Sequence, residues 1–103
     1  MKEIDLNKYQ FLEKLKRIQI IKRIILFGSR ARGDSRLRSD IDLAIDCPGA
    51  NDNDWHHILD IVEQADTLLN IDCVRFDTLL ETDPLKRSIE RDGINLYKKD
   101  AHE

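Results

Sequence analysis

Apolar residues along this chain switch between a helical and an extended period, and the switches mark its elements. Leu12, Leu15, Ile18 and Ile21 recur at three-residue steps and Phe11 widens the stripe, which predicts a helix over residues 7–22 with Asn7 as its N-cap. Ile24 to Phe27 is a short continuous apolar run stopped by Gly28, the pattern of a strand buried on both faces. Ser29 to about Ala31 reads as one turn of helix, broken by Gly33-Asp34-Ser35 at the start of an arginine-rich loop. From Asp40 to Asp46 the alternation is strict: Asp40, Asp42 and Ala44 share one face, and Ile41, Leu43 and Ile45 the other.

Beyond Cys47-Pro48-Gly49 the helical period returns. Trp55, Ile58, Leu59, Val62 and Leu69 predict a helix over residues 54–69, with Asp54 as N-cap and Ala65 on the flank of the stripe. Ile71 to Phe76 is the next strand and places Asp72, Val74 and Phe76 on one face. Asp83-Pro84 opens a further helix that Gly93 closes. Ile94 to Tyr97 is a last short strand before a frayed, charged tail, Lys98–Glu103. The expected order is α-β-α-β-α-β-α-β, an α/β or α+β layered fold without repeats or linkers.

At 103 residues the chain is expected to form a single domain with one core. No apolar run nears the roughly 20 residues of a membrane span, and the charged amphipathic N-terminus is not that of a signal peptide. Cys47 and Cys73 form no CxxC and have no histidine at metal-ligand spacing, so two reduced thiols in a cytoplasmic protein are expected.

The net charge of -3 conceals a division along the chain. Residues 1–38 carry 11 Lys/Arg against 4 Asp/Glu, whereas residues 39–103 carry 6 against 16. Four arginines, Arg30, Arg32, Arg36 and Arg38, fall beside the Gly28-Ser29 turn, and the acidic part begins at Asp40. This division suits a nucleotide and its metal. Direct nucleic-acid binding is not expected, because the balance is acidic and aromatics do not interleave with basic residues.

The chemistry concentrates between Phe27 and Asp46. A Gly-Ser turn between a strand and a helix start turns backbone N–H groups toward an anion, and the Ser29 hydroxyl adds a donor. Asp40 and Asp42, two apart on a strand, share a face with Cα atoms roughly 6.5 Å apart and can reach one Mg²⁺ or share two. An edge strand showing acids to water would carry the same alternation. Asp72 offers a third carboxylate if its strand lies beside the first pair, and a surface aspartate is the alternative. His56 and His57 are adjacent on a helix and diverge, so they make no metal pair. Trp55 belongs to the core or to a partner contact.

Gly-Ser, ten residues, then Asp-x-Asp is an arrangement that chance places in roughly 2 of 1,000 chains of this length. It resembles the signature of the DNA polymerase β-like nucleotidyltransferase superfamily. FGSRARG with SDIDLAI looks specifically like the minimal nucleotidyltransferase group, the MntA-type proteins, and the likeness extends over nearly the whole chain. It implies a small mixed sheet with flanking helices. It also implies that Gly28 and Ser29 bind the β- and γ-phosphates, with Arg30 and Arg32 assisting. Asp40, Asp42 and a third Asp on a later strand would carry the catalytic metals. NIDCVRFDTLL resembles the segment that carries the third carboxylate, at Asp72, with Asp77 as the alternative at the strand's end.

The implied cofactors are Mg²⁺, as a pair, and ATP as donor. Larger members append a domain for the acceptor, and none is expected in this chain, so a second polypeptide would supply the acceptor. MntA-like proteins are antitoxins paired with a helical HEPN ribonuclease toxin, which they are implied to silence by transferring AMP to a tyrosine hydroxyl. Two other readings stay open: an antitoxin that only masks its partner, and transfer to a small molecule such as an antibiotic.

Overall fold

The structure, a computed structural model, describes residues 9–33 and 40–99. Its strands are β1 (Arg23–Phe27), β2 (Ile41–Asp46), β3 (Ile71–Arg75) and β4 (Ile94–Lys98). They form one sheet in the order β3-β2-β1-β4. β1 pairs antiparallel with both β2 and β4, whereas β2 and β3 run parallel. The helices are α1 (Gln10–Lys16), α2 (Ser29–Arg32), α3 (Asp52–Glu63) and α4 (Pro84–Asp92). Order and class are those the sequence predicts: a small mixed sheet with flanking helices.

One face of the sheet carries most of the apolar packing. Ile24, Leu26, Ile41, Leu43 and Ile45 meet Phe11, Leu12 and Leu15 of α1 and Ile58 and Val62 of α3. Full burial of each such side chain stabilises by about 1.5–3 kcal/mol, so this face anchors the fold. The opposite face is covered over only part of its length. There Ile25, Ala44, Phe76 and Ile89 form a small cluster, with Phe27, Val74, Leu79 and Leu85 packed against it. The half of this face beyond α4 is where the acidic strand residues emerge.

Two helices are shorter than their apolar stripes predict. α1 stops at Lys16; Ile18 and Ile21 still pack on the core, but through the turn bonds Ile18 N–H to Leu15 O (3.1 Å) and Ile21 N–H to Ile18 O (3.1 Å). Ile18, Ile20 and Ile21 are β-branched, and three such residues in four favour leaving the helix before β1. α3 ends at Glu63, and Asp66, just beyond it, accepts from the N–H groups of Gln10 (3.1 Å) and Phe11 (3.3 Å) at the start of α1. A carboxylate more than fifty residues away thus caps a helix, with Tyr9 in the N-cap position, and Asn7 lies outside the described residues.

The N-cap of α3 is Asn51, not Asp54. Asn51 Oδ1 accepts from Asp54 N–H (2.8 Å) and Asp54 Oδ2 from Asn51 N–H (3.0 Å), a reciprocal capping box. Asp83 caps α4 as predicted, accepting from Leu85 N–H at 2.9 Å with Pro84 in the first turn. β3 yields at Phe76 to a single 3₁₀ turn, Phe76–Thr78. Lys98 belongs to β4, and Lys99 N–H donates to Lys22 O at 2.8 Å, so the predicted fraying does not begin at Lys98. The arginine-rich loop, with Arg36 and Arg38, and residues 100–103 lie outside the described residues.

Candidate active site

β1 leads into Gly28, whose φ of 75° and ψ of -154° are open to glycine and strained for other residues. The chain then turns at once into α2, where the N–H groups of Ala31 and Arg32 both donate to Gly28 O at 3.1 Å. The opening amides of such a turn point outward along its axis. Gly33, left-handed at φ 85°, closes the turn with its N–H on Ser29 O at 3.0 Å.

The carboxylates come to the same place by strand register. Asp42 is the pairing partner of Phe27 on β1, one residue before Gly28, and of Asp72 on β3. Paired residues project to the same face, as does Asp40, two positions before Asp42. A Cβ at Gly28 would overlap Oδ2 of Asp42 and lie 3.1 Å from its Cγ, so the carboxylate fills the room that glycine leaves. The Gly28 turn and the acidic strand face therefore meet at one place.

Its electrostatics are those of crowded negative charge. Partial burial and then the neighbouring carboxylates of Asp72 and Asp40 hold the Asp42 carboxyl above the usual range; Arg32 pulls it the other way. Among the described residues no group of three or more His, Cys, Asp or Glu side chains is placed to hold a metal ion. Asp40 and Asp72 are exposed, and Asp42 is partly buried. Mg²⁺ accepts such a site, because it takes one or two carboxylates and leaves the rest of its shell to waters and phosphate oxygens. The donor set and the cradle at Gly28 both fit Mg²⁺ with a polyphosphate.

The sequence matches the family model described as polymerase beta, nucleotidyltransferase, over residues 9–102. The chain belongs to this nucleotidyltransferase family. A search of curated proteins gives no match. Solved structures share the fold. A toxin–antitoxin crystal structure with AMP-PNP superposes with a TM-score of 0.64 at 22% identity, covering 88% of this chain and 73% of that one. A mutant of the toxin–antitoxin MntA-HpeT gives 0.66 at 23%, covering 94% and 76%. A putative nucleotidyltransferase from Sulfolobus solfataricus gives 0.56 at 23%, covering 87% and 76%.

The remaining candidate residues of the nucleotidyltransferase separate cleanly. Arg30 turns into the protein and is 6% exposed, whereas Arg32 stays at the surface, where its charge acts on Asp42 and also on Asp92 of α4. Asp92 has no counterpart in the motif, and only the pairing of β4 with β1 brings it near. Asp77 is committed elsewhere: it accepts from Cys47 N–H (3.0 Å) and from Arg75 Nε (3.0 Å). Arg75 in turn donates to Cys47 O and Ala50 O and stands 6.0 Å from the Trp55 ring centroid. The pair thus fixes the loop after β2 and stands apart from the carboxylate set. Trp55 packs on the core, and His56 and His57 are exposed.

Both thiols are free, and burial pushes Cys47 up to about 11 and Cys73 up to about 12. A cavity of about 610 Å³ lies between α3 and β3, lined by Leu59, Val62, Leu68, Leu69, Ile71 and Cys73 among others. Ile71 and Cys73 project opposite to Asp72, so this cavity opens on the other face of the sheet from the carboxylates.

Proposed function

We propose that this nucleotidyltransferase moves AMP from ATP, held with Mg²⁺, to a tyrosine hydroxyl of a partner HEPN-type ribonuclease toxin, and so acts as its antitoxin. The observation that carries this reading is the convergence of Gly28, Asp42 and Asp72 at one end of one sheet face. On this reading Gly28 and Ser29 receive the β- and γ-phosphates through the turn, with Arg32 beside them. Asp40, Asp42 and Asp72 would hold the metal ions. Mg²⁺ in such a site neutralises charge on the phosphates and favours ionisation of the attacking hydroxyl.

Asp72 takes the hydroxyl proton as the tyrosine oxygen bonds to the α-phosphorus. The bond from that phosphorus to the bridging oxygen breaks, and pyrophosphate leaves. AMP then adds charge and bulk at a surface where RNA would have to sit. Two of the similar solved structures are toxin–antitoxin pairs, one of them with AMP-PNP, which supports this choice of partner and donor. The proposed setting is the cytoplasm, consistent with two free thiols and with no described helix long and apolar enough to cross a membrane.

Intact mass of the partner after incubation with this protein, ATP and Mg²⁺ tests the proposal. It predicts a gain of AMP on a tyrosine and loss of RNA cleavage. Unchanged mass with inhibition intact would make the protein a masking antitoxin instead.

A further inference from the structure

We propose that the outer edge of β3, on its α3 side, is the docking surface for the partner ribonuclease and receives that partner's basic RNA-binding face. The inference rests on the antitoxin reading above and adds where the partner binds. Sheet order supplies the direction. One row of the sheet holds Phe27 of β1, Asp42 of β2 and Asp72 of β3, with the Gly28 turn one residue beyond Phe27. On that reading pyrophosphate leaves over β1, and Asp72 receives the hydroxyl proton. Attacking and leaving oxygens lie in line through the α-phosphorus, so the hydroxyl enters from the side of β3. β3 is an outer strand of the sheet, so that side is open to a partner.

The same edge carries exposed apolar surface. Leu68 is fully exposed on the segment that leads from α3 into β3, four residues before Asp72. It borders the cavity of about 610 Å³, whose wall also holds Leu59, Leu69, Ile71 and Cys73, none of them fully buried. Single exposed leucines are ordinary, but one at the rim of an open apolar cavity extends it into a contact surface. The cavity has the size to receive apolar side chains. Asn70 O accepts from Ile41 N–H at 2.9 Å, which ties this segment to the start of β2, between Asp40 and Asp42. Cavity and carboxylates lie on opposite faces but share this end of the sheet.

Charge selects the occupant. From Ser39 to Val74 the chain carries nine Asp/Glu and no Lys or Arg. Glu63 lines the cavity, Asp66 stands between its wall residues Ala65 and Thr67, and both acids are exposed, as is Asp72. An enzyme that cleaves RNA must gather a polyanion, so its RNA-binding face is basic. An acidic rim beside an apolar cavity complements such a face and competes with RNA for it. A second copy of this chain would set the same acidic edge against itself, which disfavours that pairing. Docked here, the partner has its RNA-binding face covered while its hydroxyl reaches Asp72.

Binding of the purified partner toxin, measured without ATP by surface plasmon resonance, tests this. Leu68→Ser should weaken affinity about 10-fold, through faster dissociation. Glu63→Lys should weaken it about 3- to 10-fold, through slower association, and wild-type affinity should fall as salt rises. Leu80 is also an exposed leucine but lies beyond the far end of β3, so Leu80→Ser should bind like the wild type. All three variants should keep the wild-type Tm and the wild-type affinity for a fluorescent ATP analogue. Exchange of the outward amides of Ile71–Arg75 should slow when the partner is added. Wild-type binding by Leu68→Ser and Glu63→Lys, or an equal loss in Leu80→Ser, would overturn the docking surface alone. A free dimer that Leu68→Ser dissociates would assign the edge to a second copy, and slow exchange before the partner is added would assign it to another segment of this chain. Either result also overturns the proposal. A wild-type protein that neither binds nor modifies the toxin would overturn the antitoxin reading itself, and this inference with it.

Discussion

Asp42 and Asp72 are direct partners across the parallel β2–β3 pair, so two carboxylates from separate parts of the chain face the same side with one strand spacing between them. In the folded protein without metal this is an unfavourable neighbourhood, and Asp42 holds its proton to higher pH than an ordinary aspartate.

A carboxyl whose folded pKa is raised binds its proton more tightly in the folded state. Its ionisation therefore costs stability as pH rises through the raised value, and the cost is complete above it. In metal-free buffer Asp42→Asn should raise Tm at neutral pH by about 2–5 °C, and the gain should vanish near pH 4. Thermal melts of both proteins across that pH range check this, and added Mg²⁺ should raise Tm of the wild type only.

Gly28 and Gly33 provide a matched comparison. Both have positive φ, but a Cβ at Gly28 meets the Asp42 carboxylate, whereas a Cβ at Gly33 meets nothing within 4 Å. Gly33→Ala should cost about 1 kcal/mol from backbone strain alone and leave nucleotide affinity intact. Gly28→Ala should lose more stability and displace Asp42, abolishing nucleotide binding. Denaturant midpoints and ATP-analogue titrations of the two variants make the comparison.

Asp66 is a long-range cap, and its bonds to the N–H groups of Gln10 and then Phe11 hold its carboxyl below the usual range. A lowered folded pKa stabilises above the unfolded value and is lost as pH falls through the folded one. Asp66→Ala should therefore lower Tm at pH 7 and lose its effect as pH falls below the ordinary aspartate range. Amide exchange should quicken first at Gln10 and Phe11.

What the sequence made legible was local. The strict alternation from Asp40 to Asp46 and the run Ile24 to Phe27 announced β2 and β1, and the Gly-Ser turn marked where α2 begins. Helix lengths were not legible, because the apolar stripe through Ile18 and Ile21 serves core packing whether or not the backbone stays helical. Nor was the Asp66 cap, which joins residues distant in the chain. The third carboxylate had to be chosen between Asp72 and Asp77, and strand register is a tertiary property. Asp72 pairs with Asp42, while Asp77 sits in the turn past β3, spent on Cys47 and Arg75.

That choice gives the most direct test of the account. The rate of AMP transfer to the partner toxin should be measured for Asp72→Asn and Asp77→Asn at saturating ATP and Mg²⁺. Asp72→Asn should lose about 10²- to 10⁴-fold in rate, the range for removing a positioned proton acceptor. Asp77→Asn should keep a near wild-type rate in a less stable protein. Full transfer by Asp72→Asn, with the loss falling on Asp77→Asn, would contradict it.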